Sequence, residues 1–363
     1  MFTIKKRDGK ARAGLLKTRH GTIRTPFFMP IATKGAAKPL SPQELVDAGT
    51  ECLISNAFLF YLRPGLEVIK KHGDIHTFMQ WKKALFTDSG GFQILDSTFL
   101  KKRTDEGVHF RNPFNNTLEF LRPEDIIKIE EELGADVVMT LDDVPHYGKT
   151  FKEHEEAMKR THLWAQRCKE AHTKKNEQLL FGICQGGTFE DLRKESARFI
   201  NSLDFDGVAL GGLGIGEGSS LMEEMVKISV AEIDERKVRY LMGVGSPRDL
   251  VISIGLGVDC FDSRFPTLNG RHGSLFTKEG TINITNAQFK EDSNSLDCSC
   301  PVCLQFSKSY LHHIFKTHEP IADRYGCLHN IYFIQDLMKK CREAILEGRF
   351  EIFKEEFLKE YRK

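Results

Sequence analysis

Eight short apolar segments, separated by amphipathic stretches, constrain this chain more than any other feature. They fall at 26–32, 51–57, 84–90, 136–142, 179–185, 207–213, 238–245 and 257–263. Most are continuous apolar runs, as expected of parallel strands covered on both faces. Between several of them the spacing predicts helices, at about 122–134, 150–174, 188–203 and 219–235. The first opens Arg122-Pro123-Glu124-Asp125, with proline in the first turn and acids at the positive end of the helix dipole. Eight such units in alternation predict an α/β chain folded as a (β/α)8 TIM barrel. The doubly wound alternative is weaker, because Gly211-Gly212-Leu213-Gly214-Ile215-Gly216 lacks the G-x-G-x-x-G spacing and comes late.

Two regions interrupt the alternation. Between the third and fourth runs, Gly107-Val108-His109-Phe110-Arg111 and Thr117-Leu118-Glu119-Phe120-Leu121 flank Asn112–Asn116 and read as an inserted hairpin. After residue 285 the pattern gives way to a cysteine cluster, then to an amphipathic segment from about 331 to 361 that reads as helix. The expected division is a barrel over 1–285, a metal-binding subdomain over 286–345, and a C-terminal helix over 346–363 packing back on the barrel.

Composition excludes several classes. The 363 residues are 40% hydrophobic and 28% charged, ordinary for a globular chain and unlike disordered or collagenous ones. No run approaches the ~18 apolar residues a membrane span needs, and the N-terminus does not read as a secretory signal. A cytoplasmic protein with reduced thiols is the expectation. Its 52 Lys+Arg against 51 Asp+Glu leave nucleic acid open, since binding depends on a local patch. Arg264, Arg271, His272, Lys308, Lys316, Lys339, Lys340 and Arg342 gather late and would suit a phosphate backbone.

Polar residues recur at the ends of the predicted strands: Asp88 on the third, Asp142 on the fourth, Gln185 on the fifth and Asp262 on the eighth. Barrels draw catalytic groups from the C-terminal ends of their strands, so this recurrence marks a site. A single carboxylate there would equally cap the following helix. Gly90-Gly91 and Gly211-Gly212 would let backbone turn tightly and approach a ligand. Further on, Cys298-x-Cys300-x-x-Cys303 is a compact thiolate set able to share a tetrahedral zinc, with the fourth ligand among His312, His313, His318, Cys327 and His329.

Thr87-Asp88-Ser89-Gly90-Gly91-Phe92-Gln93, Gly211-Gly212-Leu213, Tyr240-Leu241-Met242-Gly243-Val244-Gly245, Phe261-Asp262 with Pro266-Thr267, and the cysteine cluster occur in this order in tRNA-guanine transglycosylases. The chain resembles that family from about residue 25 to its end. The resemblance implies a barrel with a zinc subdomain that exchanges the wobble guanine of G-U-N anticodon tRNAs for a 7-substituted 7-deazaguanine in queuosine biosynthesis. It implies Asp262 as nucleophile and Asp88 as general acid/base, in a double displacement like that of retaining glycosidases. Asp142 would accept both N–H groups of the guanine edge, while Gln185 and the Gly212 N–H donate to its carbonyl. Phe92 and Met242 would sandwich the ring, with Ser89, Gly90, Gly91 and Leu213 lining the pocket. The tRNA side would fall to Gly243, Val244, Gly245, Thr267 and Arg271. One structural Zn2+ would be held by Cys298, Cys300, Cys303 and His329, and a homodimer is implied as well. Departures bear on the substrate. Val144 and the Gly214-Ile215 pair leave room for a bulkier 7-substituent, which places queuine beside the 7-aminomethyl precursor as the candidate base. Leu268 and Ser246 depart where the family contacts bases flanking the wobble position. No archaeal-type C-terminal RNA-binding domain is read, which favours anticodon-loop chemistry.

Overall fold

A computed structural model describes residues 1–91 and 99–361. The eight runs are eight strands: β1 (Phe27–Pro30), β2 (Cys52–Asn56), β3 (Ala84–Asp88), β4 (Val137–Met139), β5 (Leu179–Cys184), β6 (Gly207–Leu210), β7 (Val238–Leu241) and β8 (Cys260–Ser263). They form one parallel sheet in the order β1-β8-β7-β6-β5-β4-β3-β2. Its two edges meet at Ile31 and Ile54, where the Ala32 N–H donates to the Ile54 carbonyl at 2.7 Å, so the barrel is nearly closed. The fold expected from the alternation is the one found, with strand ends trimmed by a few residues.

Side-chain alternation explains why polar groups gather at one end. Phe27 and Met29, Cys52 and Ile54, Ala84 and Phe86, Val137 and Met139, Phe181 and Ile183, Ala209, Val238 and Tyr240, and Cys260 fill the barrel interior as one apolar cluster. Their neighbours Phe28, Leu53, Leu85, Val138, Leu180, Val208, Leu241 and Phe261 pack outward in the other cluster. Successive residues of a strand face opposite sides. One step further along the inward parity therefore come Asn56, Asp88, Gln185, Gly211, Met242 and Asp262, the layer at the C-terminal mouth.

The connecting helices carry their own boundary signals. Phe151–Ala171 begins with a capping box, Thr150 accepting from the Glu153 N–H, and Pro123–Leu133 stops at Gly134 in the left-handed region (φ 78°). The insertion between β3 and β4 has three antiparallel strands, not two, because Leu100–Thr104 joins Gly107–Arg111 and Leu118–Leu121.

An N-terminal antiparallel sheet (Phe2–Asp8, Ala11–Thr18, Gly21–Thr25), absent from the sequence reading, closes the opposite end of the barrel. Leu16 and Ile23 from this sheet join the interior cluster. Buried Arg12 ties it down: its Nε donates to Asp259 Oδ1 at 2.8 Å, and its other nitrogens reach the Glu235 and Lys237 carbonyls at 2.6 Å each.

After β8 come a hairpin (Ser274–Thr277, Gly280–Asn283) and the helices Pro301–Gln305, Lys308–Lys316, Pro320–Glu347 and Phe350–Glu360. The long helix returns to the barrel wall, where Gln335 Nε2 donates to the Phe28 carbonyl at 3.1 Å and Arg342 Nη1 to that of Pro26 at 2.7 Å. Among the described residues, no helix is long and apolar enough to cross a membrane.

Candidate active site

A cavity of about 180 Å³ opens at the C-terminal mouth, lined by Asp88, Asp142, Gly212, Leu213, Met242, Gly243 and Asp262. Val144, Ile215 and Tyr240 complete much of the remaining wall. A second cavity of about 280 Å³, lined by Thr33, Ser55, Asn56 and Arg264, shares Ile54, Asp88 and Asp262 with the first. The two carboxylates thus stand where the cavities meet.

Two hydrogen bonds to the Asp262 side chain converge on one carboxylate oxygen. The buried Tyr240 hydroxyl donates to its Oδ1 at 2.6 Å and the Gly243 N–H donates to the same oxygen at 2.8 Å. Burial pushes its carboxyl above the usual range, while these two donors oppose the shift by favouring the anion. Asp88, opposite, receives the Asn56 amide at 3.5 Å. Burial and the Asp262 charge raise it to about 6.

Asp142 forms the third corner. Gln185 Nε2 donates to its Oδ2 at 2.6 Å, and burial followed by the charge of Asp88 pushes it up to about 8. β4 ends at Met139, and the next residues leave its alternation to carry Asp142 into the cavity. Glycine backbone makes the fit possible. A Cβ on Gly91 would stand 2.7 Å from the Asp142 carbonyl oxygen, and one on Gly212 (φ +68°) only 2.4 Å from Gln185 Oε1. The next residue, Asp143, faces away from the cavity, paired with Arg103 at 2.8 Å and Arg160 at 2.5 Å.

The remaining sequence candidates lie around this core. Ser89 and Gln185 are fully buried behind it, Gln185 touching Gly211 and Gly212. Gly90 sits against Phe58 in the left-handed region (φ +83°). Phe92 lies outside the described residues. Val244 and Thr267 are buried, the Thr267 hydroxyl donating to the Arg264 carbonyl at 3.2 Å, and Gly245 packs on Ser263. Arg271 ends the short helix Phe265–Arg271 and lines a separate cavity with His272, Phe315 and His318. The sequence reading did not single out Tyr240 or Asn56. The available signal was their position: each is a hydrogen-bonding side chain at an inward position of an apolar strand.

Away from the mouth, Cys298, Cys300, Cys303 and His329 bring four donor atoms within 4.8 Å of one another. His329 Nε2 lies 2.7 Å from the Phe276 carbonyl, which can only accept, so Nδ1 is left free to face the sulfurs; it lies 3.2 Å from Cys303 Sγ and 3.6 Å from Cys300 Sγ. Such a second partner orients a ligating imidazole. The cluster fits a metal ion and selects His329 from the five candidate fourth ligands.

The comparisons agree with this geometry. The family model described as queuine tRNA-ribosyltransferase matches residues 8–363. Proteins named queuine tRNA-ribosyltransferase from Francisella tularensis strains SCHU S4, LVS and U112 are each 46% identical over 363 residues, covering 99% of both chains. The chain belongs to the queuine tRNA-ribosyltransferase family. Membership accounts for the order of the motifs along the barrel, and makes the chain a glycosyltransferase of the pentosyl-transferring kind.

Proposed function

We propose that this chain is a tRNA-guanine transglycosylase of queuosine biosynthesis, exchanging a wobble guanine for a 7-substituted 7-deazaguanine through a covalent Asp262–ribosyl intermediate. The observation that carries this is the pair of hydrogen bonds converging on one oxygen of Asp262. Two donors fix Oδ1, which leaves Oδ2 to attack the anomeric carbon. As that bond forms, the bond from the ribose to guanine breaks, and the departing base takes a proton from Asp88. With its carboxyl near 6, Asp88 can give and recover a proton near neutral pH. The incoming base loses its ring proton to Asp88 and displaces Asp262, so two inversions retain configuration.

Base recognition follows from the same wall. The Asp142 carboxylate, held from behind by Gln185, accepts two N–H groups of the guanine edge in a charge-assisted pair, and the Gly212 N–H, with Gln185, is assigned to the carbonyl. Met242 covers the ring, with Phe92 assigned to its other face. Val144 and Ile215 line the cavity as apolar groups, and the incoming base is assigned as a 7-substituted 7-deazaguanine, either the aminomethyl precursor or queuine. The cavity beyond Asp88 and Asp262, with Arg264 on its rim, is assigned to the rest of the nucleotide. Thr267, Arg271 and the Gly243-Val244-Gly245 backbone are assigned to the tRNA side.

Zn2+, one per chain, is the assigned ion for Cys298, Cys300, Cys303 and His329. A four-donor set leaves no position for water, so the ion cross-links the chain and takes no part in chemistry. The accompanying division is a catalytic barrel over 1–285, a metal-held unit over 286–345 and a terminal helix over 346–363. Cytoplasmic location and homodimerisation are carried from the family resemblance; gel filtration with light scattering tests the dimer. The direct test of function is incorporation of labelled guanine into unmodified G-U-N tRNA by this chain alone. Incorporation is expected, and its absence with folded, metal-loaded protein would overturn the reading.

A further inference from the structure

At the closed end of the barrel, far from the carboxylates of the mouth, a second group of metal-ligating side chains converges. His20 sits in the turn between two strands of the N-terminal sheet, His76 on the helix Ile75–Met79, and Asp136 just before β4. Their donor atoms lie within 4.8 Å of one another. His20 Nδ1 is 3.1 Å from Asp136 Oδ1, His76 Nε2 is 3.2 Å from Asp136 Oδ2, and the two imidazole rings stack with centroids 3.7 Å apart.

The proton arithmetic at His76 does not close without a cation. Its Nδ1 lies 3.1 Å from the Trp81 carbonyl oxygen. A carbonyl only accepts, so Nδ1 carries the hydrogen and the neutral ring presents a lone pair at Nε2. That lone pair faces a carboxylate, a pairing of two acceptors. His76 is 5% exposed, and its Nε2 is buried with no aligned hydrogen-bond partner, despite the 3.2 Å approach of Asp136. Alignment separates the two cations that would resolve this. A proton shared by Nε2 and Oδ2 lies on the line between them and requires a straight bond. An ion bound to both lies off that line, at the apex of a triangle, and tolerates the observed misalignment.

The surroundings support an ion in two further ways. Asp136 is held by backbone as well: the His20 N–H donates to Oδ1 at 2.8 Å and the Leu85 N–H to Oδ2 at 2.9 Å, which fixes both oxygens toward the imidazoles. His20 is about a quarter exposed, which gives an entry path and a coordination position open to water.

We infer that His20, His76 and Asp136 form a second metal site, taking a divalent borderline ion such as Zn2+ or Ni2+ through two imidazoles and a carboxylate. It joins the N-terminal sheet to β4 and to the segment entering β3, at the end of the barrel that serves stability, not chemistry. The site is independent of the exchange reaction and of the cysteine cluster.

The test uses the full chain, saturated with zinc and freed of excess by gel filtration. Metal is counted by mass spectrometry, and X-ray absorption at the zinc edge reports the ligands. Two zinc ions per chain are expected, with absorption showing a mixed population of sulfur-rich and nitrogen/oxygen-only sites. His20→Gln, at the exposed ligand, should remove one ion and the nitrogen/oxygen component while guanine exchange is kept. Wild-type thermal midpoint should rise with added zinc beyond the level that fills the cysteine site, and that of the variant should not. One zinc per chain in an all sulfur-rich environment would overturn the proposal. So would nitrogen-15 shifts showing His76 as an imidazolium in zinc-saturated protein, which needs no variant to fold.

Discussion

Asp142 gives the sharpest quantitative consequence of the site. With its carboxyl held up near 8 in the free protein, roughly one molecule in ten carries the anion at pH 7. A guanine edge offers two N–H donors, so binding selects the anion and releases a proton. Well below 8, each further pH unit then costs binding about 1.4 kcal/mol, or tenfold in affinity. Guanine affinity should strengthen about fivefold between pH 7 and 8, gain about another twofold above pH 8, and level off above pH 9. Calorimetry in two buffers of different ionisation enthalpy should count about 0.9 proton released at pH 7, by the same arithmetic. Asp142→Asn should abolish both the proton release and the pH slope. It should also weaken binding by about 1.5–3 kcal/mol, the value of hydrogen bonds to a charged group. Flat affinity from pH 7 to 8 without proton release would refute the reasoning, because it would mean that the pocket holds Asp142 ionised before the base arrives.

Stability supplies a companion expectation. Asp142's folded value lies above its unfolded ~3.9, so the stability it lends as a neutral acid is fully present below about pH 4 and is lost as pH rises through 8; Asp142→Asn should melt higher than wild type at pH 8. Tyr240→Phe removes the 2.6 Å donor to Asp262 and should lower kcat by about tenfold or more, with little change in KM for guanine; an unchanged kcat would detach Tyr240 from the chemistry. Gly91→Ala places a Cβ 2.7 Å from Asp142, and steady-state kinetics should show a raised KM for the base in a protein that still folds by circular dichroism. Chelation of the metal, or Cys303→Ala, should expose amides of 290–335 to hydrogen exchange while β3 to β8 stay protected; uniform protection would mean the cluster holds nothing together. Arg12→Ala strands buried Asp259 and should cost about 3–5 kcal/mol in denaturant unfolding.

The barrel was legible because its strands are buried on both faces and therefore read as unbroken apolar runs. The same property hid the site's finer structure: an unbroken run does not display its inward parity, so neither Tyr240 nor Asn56 stood out from its run as a site residue. Asp88 and Asp262 were visible as carboxylates that stop a run. Asp142 was visible for the same reason, although it reaches the cavity by leaving the strand's alternation. The N-terminal sheet escaped because its strands alternate weakly and its hold on the barrel comes from distant partners, Arg12 to Asp259 and His20 to Asp136. In the insertion, Lys101, Lys102 and Arg103 on an exposed strand gave no hydrophobic pattern to read. The cysteine spacing announced a metal site, but only the fold brought His329 across about 26 residues to close it.

The central claim is that Asp262 forms a bond to ribose. The most direct measurement is to mix the chain with unmodified G-U-N tRNA, quench in denaturant, and map any covalent RNA–peptide adduct by mass spectrometry. The account predicts an adduct on Asp262 that is lost in Asp262→Asn, persists in Asp142→Asn at higher tRNA, and is discharged by added guanine in the wild type. An adduct mapped to Asp88, or base exchange by Asp262→Asn at the wild-type rate, would contradict it.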